Sequence, residues 1–216
     1  MSIMIQKQLI LASQSPRRQA LLQQLSYQFS VQASNIDETV MLKESPSDYV
    51  LRLALEKAQH VYSTLSQAMQ KSSVVIGSDT SVVINDNILG KPQNLNDCIN
   101  MLSLLSGNQH QVLTAIAVVS DDEIYTHLVT TNVLFKTLAL AEIEAYWKTG
   151  EPQDKAGSYA IQGIAGQFIK KIEGSYSSVV GLPLYETAEL LSRYDLPKTS
   201  QSLEAKSRTQ SIKVIK

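Results

Sequence analysis

Val74-Val75-Ile76-Gly77-Ser78-Asp79-Thr80 is the stretch on which the fold turns. Three consecutive β-branched residues read as a strand of the buried type. The carboxylate that follows Gly77 and Ser78 then stands at the C-terminal end of that strand, where open α/β sheets place their ligands. Read alone, Asp79 is equally well a residue that caps a turn.

Working outward, helices and strands alternate on both sides. Upstream, Gln8 to Ala12 is a short apolar strand, and Ser15-Pro16 opens a helix over Arg17 to Leu25 as N-cap hydroxyl and first-turn proline. Phe29, Val31 and Ala33 alternate as a half-buried strand. Ser45-Pro46-Ser47-Asp48 repeats the helix start with a capping-box acid, and the helix it opens is expected to run to about Gln70. Downstream, Ser81 to Ile84 reads as a separate strand, with Asn85-Asp86-Asn87 turning into Ile88-Leu89. Asn94 or Asn96 caps the next helix, which carries Ile99, Leu102 and Leu105. Gln111 to Val119 and Ile124 to Phe135 form a long antiparallel hairpin around Asp121-Asp122. A helix over Ala139 to Trp147, a loop-rich stretch over Thr149 to Gly166, a strand over Phe168 to Ile172 and a helix over Leu184 to Tyr194 complete the pattern. The fold class is therefore α/β, one unit with a mixed β-sheet, flanking helices and two lobes around a cleft. Residues 1–197 form the domain. Residues 198–216, rich in Ser, Lys, Gln and Arg, read as a polar, mobile tail.

Composition narrows the function classes. A formal net charge of −1 argues against bulk attraction to nucleic acid. No apolar run reaches the ~18 residues of a membrane helix, and Met1 to Leu11 lacks the apolar core of a signal peptide. A single cysteine, Cys98, rules out an internal disulfide and a multi-thiolate metal site, and reads as a packed helix residue. The expected compartment is the cytoplasm. There is no Walker P-loop, GxGxxG or GxSxG pattern.

Several residues stand where local structure alone does not call for them. Ser13-Gln14-Ser15-Pro16-Arg17-Arg18 joins a strand end to a helix N-terminus, a ready anion site, and two arginines there oppose the helix dipole unless an anion joins them. Lys57 interrupts the apolar stripe of Val50, Leu53, Ala54, Ala58 and Val61, and either snorkels or points into a cleft. Lys91 sits between Gly90 and Pro92, and Lys155 lies in Asp154-Lys155-Ala156-Gly157. Glu38, in a polar loop beside Asp37, is either solvated or a hard oxygen ligand of the kind that suits Mg²⁺ or Mn²⁺. His110 reads as structural. The residues alone reach an anion-binding cleft with carboxylates.

Taken in order, these segments resemble one family, the Maf-type nucleoside triphosphate pyrophosphatases. The matching stretches are Leu11-Ala12-Ser13-Gln14-Ser15-Pro16-Arg17-Arg18, Tyr49 to Ala58, Gly77-Ser78-Asp79-Thr80, Leu89-Gly90-Lys91-Pro92 and Leu105-Ser106-Gly107. They continue through Gly150-Glu151, Asp154 to Gly163 and Val180-Gly181-Leu182-Pro183. The resemblance implies a Maf/inosine triphosphatase-like fold, commonly a homodimer, that hydrolyses a nucleoside triphosphate to the monophosphate and pyrophosphate with a divalent metal (Mg²⁺, Mn²⁺ or Co²⁺). It implies Asp79 as proton acceptor, Glu38 and Asp79 near the metal, and Ser13, Arg18, Lys57 and Lys91 around the triphosphate, with Lys155 also in the substrate site. Arg17, Thr80 and Gln162 match the branch that prefers dTTP and UTP; the 7-methyl-GTP branch has Trp, Gln and Glu there. The alternative implied by the resemblance is a non-catalytic nucleotide-binding regulator of septum formation.

Overall fold

The computed structural model describes residues 6–199. Its centre is a single seven-stranded mixed sheet in the order β2-β1-β3-β5-β6-β7, with β4 pairing on β3. The strands are β1 (Gln8–Leu11), β2 (Phe29–Val31), β3 (Ser73–Ile84), β4 (Asn87–Leu89), β5 (Gln109–Val119), β6 (Ile124–Phe135) and β7 (Ile169–Glu173). Helices α1 (Pro16–Gln24), α2 (Pro46–Thr64), α3 (Gln67–Lys71), α4 (Leu95–Leu105), α5 (Leu140–Lys148), α6 (Tyr176–Val180) and α7 (Leu184–Leu191) flank it. β1 runs parallel to both β2 and β3, whereas β3, β5, β6 and β7 are antiparallel. Among the described residues no helix is long and apolar enough to cross a membrane.

The deciding stretch differs from its sequence reading in one respect. Val74-Ile76 and Ser81-Ile84 are not two strands but one twelve-residue strand. Gly77 to Thr80 keep their ladder with Ala117, Ile116, Ala115 and Thr114 of β5, so the strand does not break at the glycine. Asp79 consequently lies in mid-strand rather than at a strand end. On the other edge of β3 the partners change. β1 pairs with Ser73 to Ile76, and β4 begins only at Val82. On this edge, among the described residues, the interval from Gly77 to Ser81 has no strand beside it, and that gap is the floor of a cleft.

The period of two sorts this strand's side chains. Val74 and Ile76 pack with Leu21, Leu22, Leu190 and Leu191 beneath α1 and α7. Val75 and Val83 lie with Val50, Ala54, Ala58 and Val61 beneath α2. Val82 and Ile84 join Cys98, Leu102, Phe135, Tyr146 and Phe168, the core of the second lobe. Parity then puts Asp79 on the α2 side, and Ser78 and Thr80 on the opposite side.

Local chemistry sets the remaining boundaries. α2 starts as read, with Ser45 accepting from the Asp48 amide, but it ends at Thr64 rather than near Gln70. Leu65 is extended, and Ser66 caps the separate short helix α3 through the Met69 amide. Ser15 holds the N-cap position of α1, yet its side chain makes no capping bond. β2 ends at Val31, which is exposed, so Ala33 belongs to the following loop. Asn94, not Asn96, caps α4. The stretch over Thr149 to Gly166 holds three short 3₁₀ turns, and the short helix α6, capped by Ser175, carries no sequence signal strong enough to separate it from loop. Lys198 bridges to Tyr27, and the Thr199 amide bonds the Ser26 carbonyl. The rest of the polar tail lies outside the described residues.

Candidate active site

The β1–α1 junction forms the first wall. The Ala12 amide makes a last ladder bond to Ile76, after which the chain leaves the sheet at Ser13. Ser13 Oγ accepts from the Ser15 amide and from Arg18 Nη1, both at 3.3 Å. Arg18 Nε donates to the Gly181 carbonyl at 2.9 Å, and Nη2 reaches Thr80 Oγ1 at 3.5 Å. All three acceptors are neutral oxygens, so the guanidinium is positioned but its charge is not cancelled by a contact. Burial lowers its pKa, with the Asp79 charge opposing that shift and Arg17 adding to it. A half-buried cation whose hydrogen bonds among the described residues go to neutral groups favours an anion beside it.

The opposite side of β3 carries the acids. α2 approaches β3 very closely because residue 77 is glycine: a Cβ there would lie 2.3 Å from the Ala54 carbonyl oxygen and 2.9 Å from the Ala58 amide. That approach brings Lys57, buried despite its charge, to Asp79. Lys57 Nζ lies 2.7 Å from Asp79 Oδ1 and 2.7 Å from Glu38 Oε1. Of the two readings of Lys57, the cleft-facing one is observed. Burial works against ionisation of Glu38, but the Lys57 hydrogen bond and charge, with Lys91 and Arg18 behind them, hold its carboxyl below the ordinary value.

The second lobe supplies the far wall. The Gly157 amide bonds the Gly90 carbonyl at 3.0 Å, tying the Lys91 loop to the turn that carries Lys155. Gly157 has φ +66°, and a side chain there would strike Val82. Lys155 pairs with Asp154, and Asp154 reaches back to Arg17 of α1 at 3.7 Å. Gln162 is exposed at the rim, one residue beyond buried Ile161.

These walls enclose a cleft of about 620 Å³. Ser13, Arg17, Arg18, Glu38, Lys57, Asp79, Thr80, Lys91, Lys155 and Gln162 all line it, so every site residue expected from the sequence faces one space. Arg17, Arg18 and Lys57 stand on the α1 and α2 sides and Lys91 and Lys155 on the far wall, while Val82, Leu89, Val112, Tyr159 and Val179 add apolar lining toward the second lobe. Such a lining suits a ligand with a polyanionic end and a flat apolar end.

Sequence reasoning missed three contributors. The Gly181 carbonyl anchors both Arg18 and Ser78. Thr114 Oγ1 donates to the Ser178 carbonyl at 2.7 Å and lies 3.1 Å from Thr80 Oγ1, fixing Thr80 from below. Asp154 spans the cleft. No pattern in the chain marks a carbonyl or a cross-strand hydroxyl; only the register of β3 against β5 could have paired Thr80 with Thr114.

A family model described as "Maf-like protein" matches residues 8–194, the whole span that builds this cleft. The chain belongs to the Maf family. It is 69% identical over 185 residues to a Colwellia psychrerythraea protein named dTTP/UTP pyrophosphatase, covering 86% of this chain and 87% of that one. Proteins of the same name from Pseudoalteromonas atlantica and Vibrio parahaemolyticus are 53% and 52% identical, each match spanning nearly the whole relative (97% and 96%) and most of this chain (87% and 86%). Among solved structures, the Staphylococcus aureus Ham1 protein is a distant likeness, with a TM-score of 0.43 and 15% identity over 75% of this chain and 91% of that one. The Maf family assignment thus rests on sequence, and the mixed α/β architecture on the sheet itself.

Proposed function

We propose that this Maf family chain hydrolyses dTTP and UTP to the nucleoside monophosphate and pyrophosphate, with Asp79 as proton acceptor. The observation that carries the reading is Arg18, half-buried and hydrogen-bonded to neutral oxygens, facing across β3 the carboxylates that Lys57 draws together. The names of the Colwellia, Pseudoalteromonas and Vibrio relatives support the substrate.

The reaction replaces the anhydride bond between the α- and β-phosphoryl groups by a bond to a water oxygen, and the water's proton passes to Asp79. Arg18, Lys57 and Lys91 face the charge that develops on the phosphoryl oxygens; each cation within ~4 Å contributes on the order of 4 kcal/mol before desolvation at an effective dielectric of about 20. The β3 gap lets Asp79 and Thr80 reach the same ligand from opposite faces of one strand.

Glu38 and Asp79 fit a divalent metal. Their oxygens converge on one point, now the Lys57 ammonium. Among the described residues no group of three or more His, Cys, Asp or Glu side chains could hold a metal unaided. Two carboxylates suit Mg²⁺, Mn²⁺ or Co²⁺ arriving with the nucleotide, since such an ion keeps waters and takes ligands from phosphates. When bound, it supplies charge neutralisation on the triphosphate.

Gln162 reads the base. Its amide can both donate and accept, which matches the O4 and N3–H edge of uracil and thymine. Arg17 and Thr80 complete the set, and Lys155 steadies the phosphate end. The same reading includes a cytoplasmic homodimer, supported by the family resemblance.

Exchange of three residues tests it: Arg17→Trp, Thr80→Gln and Gln162→Glu in one protein. The ratio of kcat/KM for UTP over 7-methyl-GTP should fall by at least about tenfold, because polar groups that a bound base covers are left unpaired when they mismatch its edge. A ratio that does not move would remove the substrate assignment.

A further inference from the structure

Gly150-Glu151 belongs to the family pattern, yet the reaction as described gives Glu151 no role. Its carboxylate lies behind the base wall rather than in the cleft. Glu151 Oε2 accepts from the Ile164 amide at 2.8 Å, and Oε1 accepts from the Ala165 amide at 3.2 Å and from the Tyr146 hydroxyl at 2.7 Å. Residue 163 must be glycine for this contact, since a Cβ there would lie 2.3 Å from Glu151 Oε2. Tyr146 is itself buried in the second-lobe core, so the clamp is anchored in packed structure.

The clamped backbone carries Gln162. The Gly163 amide closes a turn on the Ala160 carbonyl at 3.0 Å, with Ile161 and Gln162 at its centre. On the near side, Tyr159 is buried and shares a hydrogen bond of 2.8 Å with His110 Nε2. On the far side, the Glu151 carboxylate holds the two amides that follow Gly163. Exposed Gln162 thus stands on backbone held at two fixed points, which sets where its side chain leaves the turn. Charge-assisted bonds from a carboxylate to two amides are stronger and more directional than neutral ones.

We infer that Glu151 is a positioning residue for base selection, acting through the Ala160–Gly163 turn to hold the Gln162 amide against the pyrimidine edge. The inference rests on the proposed reading of Gln162. Burial works against Glu151 ionisation, but the Ile164, Tyr146 and Ala165 bonds keep its carboxyl below the ordinary value, so it remains an acceptor on both oxygens.

The test uses the full chain with Glu151→Gln, Tyr146→Phe and Gln162→Ala, each measured with UTP and GTP under one metal condition. Glutamine keeps the shape but turns one acceptor into a donor facing a backbone amide. In folded Glu151→Gln the UTP-over-GTP ratio of kcat/KM should fall about tenfold or more, through KM for UTP rather than kcat. Tyr146→Phe, which removes one bond of three, should move the ratio the same way by less. If Glu151→Gln does not fold, Tyr146→Phe decides: a lowered ratio supports the inference and an unchanged one overturns it. An unchanged ratio in Glu151→Gln, with or without lower kcat, overturns the positioning role while a lowered ratio in Gln162→Ala leaves the base reading standing. Unchanged ratios in both overturn the two together.

Discussion

Lys57 Nζ is equidistant, at 2.7 Å, from Asp79 Oδ1 on β3 and Glu38 Oε1 on the loop after β2. One ammonium therefore joins two acids from distant parts of the chain at a single point. The pair Lys57–Asp79 is buried, and a buried cation is tolerated only with its charge compensated. The cost of keeping Lys57 there is consistent with function rather than stability.

Asp79→Asn keeps the shape and leaves Lys57 an acceptor. With Asp79 as proton acceptor, turnover should fall by roughly 10²–10⁴, while the thermal melt stays cooperative. Steady-state hydrolysis and a melting curve on the same preparation check this; near-normal turnover would remove Asp79 from the reaction.

Glu38→Gln separates metal from nucleotide. The side chain is half exposed and carries its charge next to Lys57. The variant should need a higher Mn²⁺ concentration for half-maximal rate, with a smaller change in KM for UTP. A metal titration that superimposes on the parent would return Glu38 to a solvated role.

Gly77→Ala probes the helix–strand approach. A methyl 2.3 Å from the Ala54 carbonyl oxygen forces α2 outward. Overpacking of this kind costs about 1–3 kcal/mol or more, and the shift should separate Lys57 from Asp79. Denaturant unfolding should report the lost stability, and hydrolysis a loss larger than the unfolded fraction explains. Full activity in a stable variant would mean that the close approach is dispensable.

Much of this was legible in the sequence because it was local. Proline and hydroxyl pairs marked the starts of α1 and α2, and the apolar stripe of α2 made Lys57 conspicuous as an intruder. The continuity of β3 was not legible, since Gly77-Ser78-Asp79-Thr80 reads as a turn until β5 supplies its ladder. Nor could spacing show that Asp79 and Thr80 face opposite sides of a gap between β1 and β4. Ser15 illustrates a further limit: the cap position was right, but whether its hydroxyl makes the bond depends on rotamer and neighbours. Contacts through carbonyls, such as Gly181 with Arg18, leave no trace in residue type.

His110 gives a pH signature independent of catalysis. Burial depresses its pKa to about 4 from 6.5. Above pH 6.5 both folded and unfolded states are neutral at this site. Between there and pH 4 only the unfolded chain takes the proton, so stability should be lost as pH falls, by about 3 kcal/mol in all. His110→Gln, which can still bond Tyr159, should show a shallower acid slope in urea unfolding measured from pH 7 to 4. Parallel slopes would show that His110 does not titrate as its burial requires.

Product identity tests the central claim most directly. UTP, dTTP, GTP and 7-methyl-GTP are each incubated with the full chain and Mg²⁺, Mn²⁺ or Co²⁺, and pyrophosphate, orthophosphate and nucleotide products are quantified together. The account predicts one pyrophosphate per monophosphate formed, no orthophosphate, and kcat/KM for UTP and dTTP above that for either guanine nucleotide. Release of orthophosphate with a diphosphate product, or no turnover of UTP and dTTP with any of the three metals, would contradict it.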